Sequence, residues 1–421
     1  MLPALGLLAA GGEHADTDAL AHLVWARQLI HDGRIVIAEE GVYRNPALYY
    51  PNTVPKPLPL LLSLPPAATG GAGLLQLEYL VLAFLALLAS ARLGRRLAGP
   101  AGGFWCAAAL GMNPAWVMLV LRCRPAVLIV GMVAALPALS RWSPAEPLLA
   151  LTRPEGIFFA GWRAIRRRRL GNLLLLLLTV SAWPLLNLWA TGDPLWSARE
   201  VRLAVQQMDY PTPGLAEYPL LLLRRFLLVP GPLLLLVLLR RLRRWPAAVP
   251  AAAYALLLWA SLAGGSLVLP RYLDPLALLV IPWASAFLLQ RMEGWPAKVR
   301  GYVMAVAVAS SLTLWPSTLS AWKMELRLQS ELESYGRNGW AGRLAANELL
   351  IPRLAETRGT TDLRNGFVAL DRAAWEDANL EELGVGQVLV FPHAPYLPDH
   401  TRDYIQRHGI VPDTLEVREN G

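Results

Sequence analysis

Leucine-rich stretches such as residues 171–189 and 218–239 recur along this chain, separated by short clusters of arginine. Each compares with the roughly 20 apolar residues that a helix needs to cross the hydrocarbon layer of a bilayer. With 55% of 421 residues hydrophobic and only 17% charged, no single soluble core hides so much apolar surface, and lipid must cover the excess. The expected class is an α-helical polytopic membrane protein.

A net charge of +8 in a soluble chain would point to nucleic acid. Here the basic residues sit between apolar runs, which is the positive-inside pattern, so membrane lipids are the expected partners and nucleic acid is not. Cys106 lies in an apolar run and Cys123 at a span end. They give neither a disulfide framework nor a CxxC knuckle.

The clusters Arg92/Arg95/Arg96, Arg141, Arg163 with Arg166 to Arg169, the arginines of residues 240–244, and Arg291/Lys298/Arg300 mark the expected cytoplasmic loops. Residues 74–93 then run inward, 103–121 outward, 126–139 inward and 170–190 outward, after a short hairpin through residues 152–156. Residues 218–239 return inward, 247–267 go out, 276–290 come in and 303–319 go out. Residues 1–12 are apolar but span only about 18 Å as a helix, and are read as the end of a shortened first span. The length rule gives about nine to eleven spans.

This order puts residues 13–71, 191–216, the turn at 270–275 and everything after about residue 323 outside the cytoplasm. Two units follow, a multi-span region 1–322 with a first outer loop at 13–71, and a tail 323–421. In the tail charges return, and the apolar strips 366–370 and 387–391 alternate with helical stretches near 343–354, 372–383 and 400–408. Strips that short suit buried strands, so the tail is expected to be a small soluble α/β domain.

The first outer loop holds the residues best suited to chemistry: Glu13, His14, Asp16 and Asp18, a helical stretch 19–31, Gly33, the tyrosines Tyr43, Tyr49 and Tyr50, and Pro55-Lys56-Pro57-Leu58. A carboxylate at a helix start serves equally well as a cap. Tyrosines at a membrane face serve equally well as an interfacial belt. His22 stands four residues after Asp18, on the same helix face, where a hydrogen bond can orient Asp18. No HExxH-type spacing is present, so a divalent metal is not expected and no cofactor is implied.

The run DTDALAHLVWARQLIHDG followed by KPLP resembles the first outer loop of the GT-C membrane glycosyltransferases, which include the protein mannosyltransferases and the lipid A aminoarabinose transferases. Asp18 takes the place of the family's Asp, Ala19 replaces its usual Glu, and Leu58 follows a single Lys-Pro. Residues 151–156, LTRPEG, are similar to a family turn; residues 271–275, RYLDP, are similar to its Arg-Tyr-Leu-x-Pro; residues 191–194, TGDP, are similar to an outer turn.

The resemblance implies a GT-C-like fold with a helix lying along the membrane. It also implies a sugar on a polyprenyl phosphate as donor, and a lipid, glycan or protein hydroxyl as acceptor, joined with inversion at the outer face of the cell membrane. Asp18 is then the base, Asp16 binds acceptor or orients a water, and Lys56 and Arg271, with Tyr272, hold the phosphate. Arg153, at membrane depth, either binds substrate or forms an ion pair with Glu155. Two other classes fit the charge pattern: a transporter or flippase of lipid-linked oligosaccharide, and a non-enzymatic assembly factor. Transporters usually show repeated halves and charges at the midplane, and no repeat is visible here.

Overall fold

The computed structural model describes Ala4, residues 17–33, Ile35, and residues 56–136, 145–167, 170–195, 213–263 and 272–338; beyond these it describes Trp340 and residues 342–346, 350–360, 366–375, 377–390 and 399–410. The described chain is mostly helical. It runs through α1 (Thr17–Asp32), α2 (Pro57–Leu62), α3 (Leu64–Thr69), α4 (Gly71–Gly111), α5 (Pro114–Leu121), α6 (Ala126–Ala135), α7 (Ala145–Thr152) and α8 (Pro154–Arg167). Next come α9 (Leu170–Val180), α10 (Ala182–Thr191), α11 (Tyr218–Leu228), α12 (Pro232–Arg240), α13 (Ala248–Ala263), α14 (Asp274–Arg291), α15 (Ala297–Ala309) and α16 (Trp315–Asn338). The tail follows as β1 (Arg343–Ala346), α17 (Ile351–Arg358), β2 (Phe367–Ala369), α18 (Leu370–Trp375), β3 (Val385–Leu389) and α19 (Asp399–Arg407).

Among the described residues three stretches are long and apolar enough to cross a membrane: Gly71–Gly111, Gly171–Trp189 and Ala297–Lys323. Two bent pairs, α5 with α6 at 119° and α11 with α12 at 105°, raise the number to five if each pair is one span. Part of the difference from the sequence reading falls outside the described residues. Helix α6 stops at Ala135 and α13 at Ala263, while residues 137–139 and 264–267, which complete the longer runs, lie outside the described part. Helix α14 is enclosed by protein, with residues 275–289 all buried, and it packs on α4, α6 and α12. Of residues 1–12 only Ala4 is described, buried against Val117, Leu121 and Trp322.

Helix α4 is really a hairpin. Ala98 and Gly99 leave helical backbone, Gly99 at φ 71°, and Pro100 follows. A Cβ added at Gly94 would run into the carbonyl of Gly102, and one at Gly102 into that of Gly94. In a straight helix those positions stand about 12 Å apart, so the chain has turned back on itself, and glycine lets the two arms touch.

Each break in the apolar helices leaves carbonyls without their intrahelical donor. Side-chain amides meet them. Gln290 donates to the carbonyl of Leu97 (2.5 Å), just before the α4 turn. Gln76 donates to Leu121 (3.3 Å) at the α5–α6 bend. Asn113 donates to Val229 (2.6 Å) at the α11–α12 bend, where Pro232 supplies no N–H. The same Asn113 caps α5 by accepting from the N–H groups of Ala115 and Trp116 at 3.0 and 3.3 Å.

In the tail, β1 lies between β2 and β3 in a fully parallel sheet. Strands β2 and β3 overlap the two apolar strips of the sequence, whereas β1 occupies the start of a stretch read there as helix. Its Leu344, Ala345 and Ala346 are wholly buried, because a central strand is covered on both faces. Their core is shared with α1: Leu344, Leu354 and Phe367 belong to one cluster with Ala21, Val24 and Trp25.

Asn113→Leu removes the cap of α5 and orphans the Val229 carbonyl, so we expect a loss of about 2 to 4 kcal/mol. The thermal unfolding temperature in detergent should fall by several degrees. Gly301→Ala, at a helical position where nothing lies within 4 Å of the added carbon, should leave it unchanged or slightly raised.

Candidate functional site

Asp18 sits in the first turn of α1, where a negative charge is favoured by the helix dipole. The helix ends at Asp32, just before Gly33 at φ 67°. Ala19 through Ala26 are almost wholly buried. The resemblance implies a helix lying on the membrane, yet α1 is wedged between two cores. Leu20 and Leu23 join the helical bundle, and Val24 and Trp25 join the tail.

Lys56 precedes α2 in extended backbone, with Pro57 opening the helix, a position where proline's missing N–H costs nothing. Its Nζ stands 3.7 Å from Asp18 Oδ2, with the side chains 11% and 27% exposed. The pair is therefore reachable from outside at its acidic end.

His22 fixes both partners through the backbone. Its Nδ1 lies 2.5 Å from the carbonyl oxygen of Asp18, and its Nε2 accepts the N–H of Lys56 at 3.0 Å. A carbonyl only accepts and an amide N–H only donates, so the ring is neutral with its proton on Nδ1. Burial, with the nearby Lys56 charge second, pushes its pKa down to about 3. Trp25 packs edge-on to the ring at 5.4 Å. The sequence suggests that a hydrogen bond from His22 orients Asp18. The bond is made to the Asp18 carbonyl, and with the Lys56 N–H it joins the start of α1 to the start of α2.

A second cluster lies where α7 meets α8. Gly156 is required there, since a Cβ would strike the Leu149 carbonyl, to which the Thr152 hydroxyl also donates. This tight turn brings Arg153 Nε to 2.8 Å from Glu155 Oε1, both side chains being buried. Tyr254 of α13 donates its hydroxyl to Glu155, and Tyr272 lies beneath the Arg153 guanidinium at 5.8 Å. Residues of two segments that carry the family resemblance, Arg153 and Tyr272, are thus brought together. Next to them Arg225 Nη1 is 3.5 Å from Asp274 Oδ1.

Asp16 and Arg271 lie outside the described residues, as do Glu13, His14 and the three loop tyrosines. Among the described residues no group of three or more His, Cys, Asp and Glu side chains is placed to hold a metal ion.

Sequence reasoning passed over Tyr254, Arg225 and, most of all, Glu356. The Glu356 carboxylate takes Arg27 in a two-toothed pair at 2.5 and 3.0 Å, across 329 residues. Its Oε1 also accepts the N–H of Ala72 at 3.2 Å, so one tail carboxylate ties α1 to the first turn of α4. No spacing rule connects positions so far apart. An arginine on an otherwise apolar stretch of α1 was the one available signal.

No protein-family model matches the chain, and no match was found among curated proteins or solved structures.

The His22 pKa, about 3 in the fold against about 6.5 when unfolded, gives a pH dependence of definite sign. The neutral ring contributes stability that is fully present above pH ~6.5 and is lost as pH falls toward 3. Moving from pH 7 to pH 5 should cost about 2 kcal/mol through this group, read as a drop in melting temperature. His22→Phe should flatten that part of the profile. For the Glu356 junction, Glu356→Lys should destabilise by about 2 kcal/mol. Combining Glu356→Arg with Arg27→Glu should recover only part of the loss, because arginine cannot accept the Ala72 N–H.

Proposed function

We propose that this chain is an inverting glycosyltransferase of GT-C-like, multi-pass helical organisation. It moves a sugar from a polyprenyl phosphate to a hydroxyl acceptor at the extracytoplasmic face of the membrane. Residues 323–421 act as a small α/β domain on that same side. The observation that carries the reading is the pairing of Asp18 with Lys56, part-exposed and fixed at the backbone by a neutral histidine, in a loop that resembles the catalytic loop of that superfamily.

Asp18 takes the proton of the acceptor hydroxyl while its oxygen attacks the anomeric carbon. The bond from that carbon to the phosphate oxygen breaks on the opposite face, and its electrons leave with the polyprenyl phosphate. In such a displacement the base and the leaving group stand on opposite sides of the sugar. Lys56, being 3.7 Å from Asp18, belongs to the side of attack, where it balances the carboxylate and orients the acceptor with Asp16. Neutralising the departing phosphate then falls to Arg271. The Arg153–Glu155 pair, together with Tyr254, holds Tyr272, the neighbour of Arg271 in sequence, beside α8 and α13.

The test is release of polyprenyl phosphate from a panel of radiolabelled polyprenyl-phosphate sugars, with membrane extract as acceptor. Wild type should turn over one donor, and Asp18→Asn, shown to be folded, should be slower by about 100-fold or more. Equal turnover by both would remove Asp18 as the base. Silence from wild type with competent donors and acceptors would move the reading to transport of a lipid-linked sugar.

A further inference from the structure

The first arm of the α4 hairpin exposes a continuous stripe that changes character along its length. Leu77, Val81, Phe84, Leu85 and Leu88 are all exposed. Their spacing of three and four residues puts them on one face of the helix. Continued by the same spacing, that face reaches Arg92, Arg95 and Arg96, where an open cavity of about 800 Å³ is lined by these arginines with Ala91 and Gly103. The cavity exists because the floor is small. Gly103 of the returning arm lies so close that a Cβ there would be 3.0 Å from the Ala91 carbonyl. Phe104, 66% exposed, adjoins the cavity floor in sequence.

Three guanidinium-bearing residues line this one cavity, and its charge is complementary to that of an anion. An inorganic ion would satisfy the arginines and leave the apolar stripe unused. The stripe is long enough to matter: Leu77 to Arg92 covers about 22 Å of helix axis, which is of the order of an extended acyl chain. From Ala72, held by Glu356, to Arg92 is about 30 Å, the thickness of the hydrocarbon layer. The cavity therefore lies at the far end of this arm from the junction at Ala72, and none of the candidate active-site residues lines it.

We propose that the α4 hairpin carries a binding site for an anionic phospholipid, with the phosphate among Arg92, Arg95 and Arg96 and an acyl chain along Leu77 to Leu88. The site differs from general attraction of basic loops to acidic headgroups in joining a formed cavity to an apolar track that leads into it.

The experiment is native mass spectrometry of the full-length protein from detergent, titrated in parallel with dioleoylphosphatidylglycerol, dioleoylphosphatidylcholine and inorganic phosphate. Wild type should retain phosphatidylglycerol in preference to phosphatidylcholine, and millimolar phosphate should not displace it. Each arginine changed to glutamine should weaken retention about fivefold, and the triple R92Q/R95Q/R96Q variant should lose the preference. Changing the same three to lysine should restore most of it. A comparison triple at another basic turn, R240Q/R241Q/R243Q, should retain the lipid like wild type. Should the α4 triple misfold, the single variant R95Q and the lysine triple still give the reading. Equal loss in the comparison triple, an unchanged preference in the α4 variants, or displacement by phosphate alone would each overturn the proposal.

Discussion

Apolar helices can break inside a membrane-like interior only where something else takes over the hydrogen bonds that the break releases. In this chain that condition is met by three side-chain amides, Gln76, Asn113 and Gln290, each donating to a carbonyl at a bend or turn. Much of the bundle hangs on these bonds. The α4 hairpin and the α5–α6 and α11–α12 bends lie in helices that pack on α14, and α14 is buried along nearly its whole length.

Charges inside the bundle follow the same logic. Arg153 meets Glu155, Arg163 meets Glu146 at 2.7 Å, and Arg225 meets Asp274. An arginine at membrane depth is costly alone and tolerable beside a carboxylate. Such pairs are weak evidence for stability, since desolvation consumes most of the attraction, but they fix geometry. The Arg153 pair holds the turn at residues 153–156 against Tyr254 and Tyr272, and the Arg225 pair anchors the start of α14.

Helix α1 is where the bundle and the tail become one object. Its burial on both sides explains how a carboxylate at its first turn is held steady while remaining partly open to solvent. The neutral His22 ring ties its start to Lys56, and the Glu356 carboxylate ties its middle to the tail and to the head of α4. The tail is therefore part of the framework on which Asp18 rests, whatever further role it plays.

The helical, lipid-compatible class was legible in the sequence because hydrophobic runs are local, and one run needs no knowledge of the next. The reversal at the α4 hairpin was equally legible, from Arg92, Arg95 and Arg96 in a short loop. Asp18, His22 and Lys56 were picked out as a group because they lie in one loop, and Arg153 with Glu155 because they are neighbours. Beyond that, local signals ran out. The strand at residues 343–346 reads as helix until β2 and β3 cover it, since strand preference depends on the neighbours that a strand packs against. That His22 bonds the backbone of both Asp18 and Lys56 depends on where Lys56 arrives. That Glu356 meets Arg27 depends on the whole chain having folded between them. The sequence by itself determined which segments must leave water and which side chains carry charge. Only the tertiary structure decided which charge meets which, because a partner hundreds of residues away leaves no periodicity to read.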